Sequence, residues 1–339
     1  MYDAAITDFT NARDYARAVG MQLASESNLE VGQIYVANDS RFTSATFNQP
    51  LTNFAVGGWN QVGLDAELRA YVGAPVQVSR RFNYKVWTNA DYHKSETSDD
   101  LRAIGADFKE VRRSNSEVNT QVANRGLVMV LDKDELAEGV ITEQMAVSYL
   151  TERLKLNQIR RASALLIAAA ANTGRAWYTT GTPLDPDLNI QTALNAYQTA
   201  TGIDANTLIF GRFAWTGRLT MLRSLTNAGG FAGSAITSEA ELASYLNIDQ
   251  VYRANAVYQS ATATKTVVGT AIVLAHYKSN SGMREDPSNI KYFWAPTTGG
   301  GQVSAFRYEE GSKKIVVGVE HNELLAITYS SGIQTITVT

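Results

Sequence analysis

From Thr142 to Ala171 the chain contains neither glycine nor proline, and its apolar side chains recur at three- and four-residue steps. Met145, Tyr149, Glu152, Leu156, Ile159, Ser163, Leu166 and Ala170 follow one such stripe, with Arg153, Lys155, Arg160 and Arg161 elsewhere around the wheel. Thr142 suits an N-cap, Glu143 the positive end of the helix dipole, and Gly174 the far end. At about 1.5 Å per residue this predicts a rod on the order of 45 Å long, far beyond the three turns of an ordinary globular helix. Such an element is the spine of a scaffold or one member of a bundle, and the rest of the fold must be laid along it.

The 339 residues, 45% of them hydrophobic, can bury a core divided between two domains. Thirty Lys and Arg stand against 33 Asp and Glu, which leaves no basic stripe of the kind that neutralises a run of phosphates. There is no cysteine, so disulfides, thiolate nucleophiles and Cys-containing zinc sites are excluded. The amino terminus lacks the apolar segment of a secretory signal, and the longest apolar run, Ala164 to Ala171, is too short to cross a bilayer. A soluble intracellular product is expected.

Along the chain, the first 50 residues mix short helical pieces with polar stretches and read as an arm laid over something else. From Pro75 the pattern alternates, with Val76, Val78, Phe82, Tyr84 and Val86 mostly on one face, which predicts one long half-exposed strand. A charged stretch follows, and then RGLVMVLDKDE, residues 125–135, whose apolar run Leu127 to Leu131 reads as a buried strand. Two strands flanking so much charge predict a large hairpin, about Val76 to Val130, that offers charge to a neighbour rather than a core to its own chain. Beyond Trp177 come a Pro/Asp turn, a helix from Ile190 to Ala200, a strand in NTLIFG, a helix from Ala214 to Leu225, a glycine-rich loop and a helix from Ser238 to Leu246. Strands at Gln250 to Ala254 and Thr266 to His276 complete a compact α/β domain, and strands at hairpin spacing fill the chain after Pro287.

Chemistry has few places to reside. Asp132, Asp134 and Glu135 are the obvious candidates, because hard cations want several oxygen ligands and a hydrolase could use such a cluster. A calcium loop needs glycine at its sixth position, where Ala137 stands, so the cluster reads better as a strand-to-helix turn before Thr142. His93, His276 and His321 have no second histidine at helical metal spacing and read as structural. NAGGFAGSA, residues 227–235, lacks the lysine of a phosphate loop and reads as a flexible loop. No nucleophile elbow is present. The basic doublets Arg80–Arg81 and Arg112–Arg113 suit salt bridges to neighbours or exposure to solvent.

The order of long hairpin, LVMVLDKDE, long helix, α/β domain and terminal strands resembles the major capsid proteins of tailed bacteriophages, the Hong Kong 97-type fold. TEQMAVSYLTERLKLNQIRRASALLIAAA is similar to the spine helix of that family, and TGIDANTLIFGRFAWTGRL to its entry into the axial domain. The resemblance covers most of residues 75–300. It implies an α+β chain with an extended amino-terminal arm (1–50), a long β-hairpin loop (75–122) and an α/β axial domain (181–287). A peripheral domain would take 51–74, 123–180 and 288–339, with its spine helix at 142–171.

The function implied is that of a structural subunit, not an enzyme, which self-assembles into an icosahedral shell around a phage genome without any cofactor or metal. Its partners would be copies of itself in pentamers and hexamers, a scaffolding protein that is separate or absent, portal and decoration proteins, and packaged DNA contacted without sequence specificity. No membrane is involved; the expected location is the virion capsid, assembled in the host cytoplasm. Arg80, Arg81, Lys85, Asp99, Asp100, Arg112 and Arg113 are the expected assembly contacts, and Asn227, Gly229, Gly230 and Gly233 the loop beside the symmetry axes. The alternatives are an encapsulin-like compartment shell, told apart by its enzyme cargo, and a hydrolase using Asp132, Asp134 and Glu135.

Overall fold

The computed structural model describes residues 48–59, 62–89, 116–177, 185–226, 238–259, 265–267 and 271–339, together with 102, 104, 105 and 107. Those residues are mixed α and β, with seven helices and several sheets. The described chain divides into two compact units, one of 48–56, 126–150 and 297–320, the other of the described residues in 57–125, 151–296 and 321–339.

In the first unit lie the start of α1 (Gln49–Trp59), most of β4 (Ala123–Asp132), the short α3 (Lys133–Ala137) and the start of α4 (Glu143–Ala169). They are joined by β12 (Val303–Glu310) and the leading part of β13 (Lys314–Ile327). Val303, Ala305, Val316, Val317 and Val319 are buried along the β12–β13 hairpin, as are Leu51 and Ala55 of α1. Thr52 ties α1 to β12, its Oγ1 donating to the Ala305 carbonyl at 3.2 Å and accepting from the Ala305 amide at 3.1 Å. Thr142 caps α4 as expected, its Oγ1 accepting from the Met145 amide at 3.2 Å. The apolar run of β4 is not buried: Val128 and Val130 are more than half exposed, and Leu131 alone in the run is fully covered. A continuous run does not by itself distinguish two covered faces from one.

The second unit is built on a sheet of order β5–β14–β10–β6–β7. Its strands are β5 (Ala171–Arg175), β14 (Gln334–Val338), β10 (Ile272–His276), β6 (Thr207–Phe210) and β7 (Gln250–Arg253). β6 and β7 pair in parallel, as do β14 and β5, while β10 runs antiparallel to both β6 and β14. All four residues of β6 are buried, as expected of a central strand with both faces covered. The helices α5 (Pro186–Thr201), α6 (Arg212–Thr226) and α7 (Glu239–Leu246) belong to this unit, and Ile190, Tyr197, Ala214, Trp215 and Leu242 share a core with Leu208, Phe210 and Val273. A second core joins Leu68 and Tyr71 of α2 (Val62–Val72) to Ile159, Ala162 and Leu166 of α4 and to Ile209, Leu274, Ile290 and Tyr292.

Local rules account for most of the boundaries. Asp185 caps α5 by accepting from the amides of Asp187 and Leu188, with Pro186 in the first turn, so the helix begins four residues earlier than the apolar pattern alone predicts. Ser238 and Glu241 form a capping box on α7. Gly332 takes φ +83° against Thr201, where an added Cβ would meet the Thr201 methyl at 2.2 Å, so no other residue fits that turn.

Three further expectations are corrected. Gly174 does not close the long helix, which ends at Ala169; it lies in β5 opposite Thr337, because the chain re-enters a sheet beside β14. Met145 and Tyr149 are exposed, at 59% and 50%, and Glu152 is exposed too. The buried side of α4 instead carries Ala146, Val147, Leu150, Thr151, Leu154, Lys155 and Gln158, and its polar members hid the true stripe. The single long strand after Pro75 is two: β1 (Val76–Gln77) pairs in parallel with β11 (Ile290–Ala295), and β2 (Arg81–Lys85) pairs with β3 (Glu117–Gln121).

Candidate functional site

The hairpin is real and its register is fixed, running antiparallel from Arg81 opposite Gln121 to Lys85 opposite Glu117. Its base supplies core to its own chain, contrary to expectation. Phe82 and Tyr84 project every second residue toward Phe293 of β11, with ring centroids 4.8 and 5.5 Å apart, in a cluster with Val76, Val122, Ala295 and Ala326. The Trp87 amide donates to the Thr328 carbonyl at 2.7 Å, which fixes the point where the chain leaves this core.

Of the expected contact residues, Arg80 and Arg81 are exposed, and Lys85 is half-buried with its ammonium 4.0 Å over the Trp87 ring. Asp99, Asp100, Arg112 and Arg113 lie outside the described residues, as do Asn227, Gly229, Gly230, Gly233, His93 and nearly all of the expected arm. Beside the hairpin base a groove of about 340 Å³ is lined by Tyr84, Lys85, Trp87, Glu117, Arg284 and Glu285. Its charges are balanced, two of each sign.

The acid cluster is a helix start. Asp132 ends β4 with extended backbone and caps α3, its Oδ1 accepting from the Asp134 amide at 2.9 Å. Asp134 is held by Lys313, whose Nζ lies 2.8 and 2.7 Å from its two oxygens, and Lys133 pairs with Glu309 at 2.6 Å. Among the described residues no group of three or more His, Asp or Glu could hold a metal ion. Replacing Asp132 with alanine is expected to cost about 0.5–2 kcal/mol, the ordinary value of a lost N-cap. Asp134→Ala is expected to cost about 0–1 kcal/mol, because its ion pair is exposed; both are read by denaturant unfolding.

The densest polar constellation is one that sequence reasoning missed. Glu323 of β13, 1% exposed, accepts from Gln158 Nε2 at 2.6 Å and from an Arg161 N–H, and its Oε1 also lies 3.0 Å from Arg125 Nε. The Gln158 amide is 3.2 Å from the Tyr292 hydroxyl. His321 Nε2 approaches Glu323 at 3.4 Å, a close polar contact rather than a well-formed hydrogen bond, and its ring packs on Trp59 with centroids 5.0 Å apart. Lys155, one turn earlier on α4, lies 4.4 Å over that indole and donates to Asp65 at 2.7 Å. Burial alone would raise the Glu323 carboxyl; His321, Arg161 and Gln158 outweigh it and hold the group below the usual carboxylate range. Burial pushes Lys155 down, and Asp65 offsets part of that. The sequence signal was a run of polar residues, Lys155, Gln158 and Arg161, at three-residue spacing on a helix.

Two further buried cations serve as ties. Lys278 donates to the Arg69 carbonyl at the end of α2 and to Gln250, and Lys291 to the carbonyls of Met283 and Arg284; burial pushes both down to about 8. His276 meets the Tyr71 carbonyl at 2.9 Å, and burial, with Lys278, pushes it down to about 3, so it is neutral at physiological pH.

No protein-family model matches the sequence, and no curated protein matches it. The fold is shared with solved structures. A phage-related protein from Bordetella bronchiseptica RB50 superposes with a TM-score of 0.63 at 15% identity, over 86% of this chain and 97% of that one. A virus-like particle from Pyrococcus furiosus gives 0.51 at 10% identity, over 86% and 98%. A weaker similarity, 0.47 at 10% identity over 79% and 86%, is to the mature capsid of bacteriophage PhiM1.

Proposed function

We propose that this chain is the major capsid protein of a tailed bacteriophage, a structural subunit of the Hong Kong 97 type that assembles with copies of itself into a closed shell around the genome. The observation that carries this reading is the fold shared with the phage-related protein and the virus-like particle over nearly the whole of each. The exposed, charged end of the hairpin base agrees with it, since exposed strands with unpaired edges pair with other chains. Arg80, Arg81 and Lys85, at the root of that hairpin, are proposed as its inner contacts. Asp99, Asp100, Arg112 and Arg113 are proposed as its outer contacts, and the loop of Asn227, Gly229, Gly230 and Gly233 as the part facing the axes of pentamers and hexamers. The arm, peripheral and axial divisions expected from the resemblance, the scaffolding, portal and decoration partners, and assembly in the host cytoplasm belong to the same proposal. Among the described residues no helix is long and apolar enough to cross a membrane.

Electron microscopy of the purified protein, alone and with the proteins encoded beside it, tests the reading. Closed particles of many copies are the expected result. A species of about 37 kDa in all conditions, by light scattering, overturns it. Particles that carry an enzyme in place of DNA favour the compartment-shell alternative. Hydrolytic activity abolished by alanine at Asp132, Asp134 and Glu135 favours the enzyme.

A further inference from the structure

Arg125 and Arg161 come from different elements, β4 and α4, yet both address one atom, Oε1 of Glu323. Their side chains remain 44% and 31% exposed while the carboxylate beneath them is 1% exposed. In the ion pairs of this region Arg69 and Lys155 share Asp65 while Arg125 and Arg161 share Glu323, which His321 also approaches, four cations against two anions on a chain whose formal net charge is −3. Among the described residues no second carboxylate meets either guanidinium. A guanidinium presents five donors in a fixed fork, and one shared oxygen leaves most of them unused.

We propose that the Arg125–Arg161 pair is a receptor for a carboxylate side chain of a neighbouring copy of this chain. The proposal rests on the shell reading for the presence of that neighbour. Glu323, with Gln158 behind it, holds the two forks in place, so little side-chain freedom is lost when a partner docks. A planar carboxylate can take paired N–H donors, and each copy offers 33 Asp and Glu from which one can be drawn. Nucleic acid is the less suitable occupant: a duplex offers a line of phosphates and calls for a run of cations, whereas this is one compact fork already sharing a buried anion.

The test is a map of the assembled particle at side-chain detail, combined with Arg125→Lys. The map is expected to place an Asp or Glu of an adjacent copy within hydrogen-bond reach of Arg125 or Arg161. Arg125→Lys, which keeps the charge and removes the fork, is expected to raise the subunit concentration needed for assembly by about tenfold, the equivalent of about 1.4 kcal/mol. Thermal unfolding of the unassembled subunit should not change, because Arg161 and Gln158 still meet Glu323. Particles with no neighbouring carboxylate at the pair, or with a phosphate there, overturn the proposal and leave the shell reading standing. An unchanged assembly threshold in Arg125→Lys overturns it as well. A protein that forms no particles fails the shell reading, and this proposal with it.

Discussion

Glu323→Gln is expected to lower the unfolding free energy by about 1.5–3 kcal/mol, the worth of hydrogen bonds to a charged group; the full cost of a broken buried pair does not apply, because Arg125 and Arg161 remain 44% and 31% exposed to solvent. The glutamine keeps the shape and can still accept from Gln158, so the loss is electrostatic: Arg161 and Arg125 are left facing each other without the anion that holds them together. Denaturant unfolding of the unassembled subunit measures it. The pH dependence supplies a second check. Because the Glu323 carboxyl is held below its unfolded value near 4.5, its stabilisation is fully present above that pH and is lost as pH falls through the folded value. The gap between wild type and Glu323→Gln is therefore widest near neutrality and narrows on acidification. A constant gap from neutral pH to well below 4.5 would show that the carboxylate's charge is not what stabilises this centre.

The second large effect separates folding from assembly within one hairpin. Replacing residues 90–115 with a short Gly/Ser turn keeps β2, β3 and their ladder from Arg81–Gln121 to Lys85–Glu117. The shortened chain is expected to unfold cooperatively with near-native helix content and to form no particles. Phe82→Ala, only a few residues away, is expected to do the opposite kind of damage. Its ring is buried against Phe293, and truncating a buried phenylalanine costs about 3–5 kcal/mol. Circular dichroism with denaturant titration reads the first property, and electron microscopy the second. Intact particles from the shortened chain would remove the hairpin from the assembly argument, and global unfolding would show that the core extends further along it than Phe82 and Trp87.

Alternation after Pro75 was enough to predict strands whose inward side chains include Phe82 and Tyr84, because a strand side-chain period of two survives in any context. It could not say that those rings meet Phe293, about 200 residues further along the chain. That contact turns the root of the hairpin from a pure interaction arm into core.

The long helix divides in the same way. Its existence, its N-cap at Thr142 and its approximate end follow from local chemistry: no glycine or proline within it, and a hydroxyl placed to accept from an orphan amide. Its buried face did not follow. Met145 and Tyr149 are apolar and exposed, whereas Lys155 and Gln158 are polar and buried. Periodicity assumes that burial tracks hydrophobicity, and the assumption fails where distant carboxylates, Asp65 on α2 and Glu323 on β13, compensate a buried polar side chain.

By itself, then, the sequence determined the elements that local rules govern: the capped helices, the strand-to-helix turn at Asp132, the terminal strands and the absence of thiol chemistry. Only the tertiary structure decided that Arg125, Gln158, Arg161 and His321 converge on Glu323, because burying a charge costs so much that its position is set by partners the fold brings together from far along the chain.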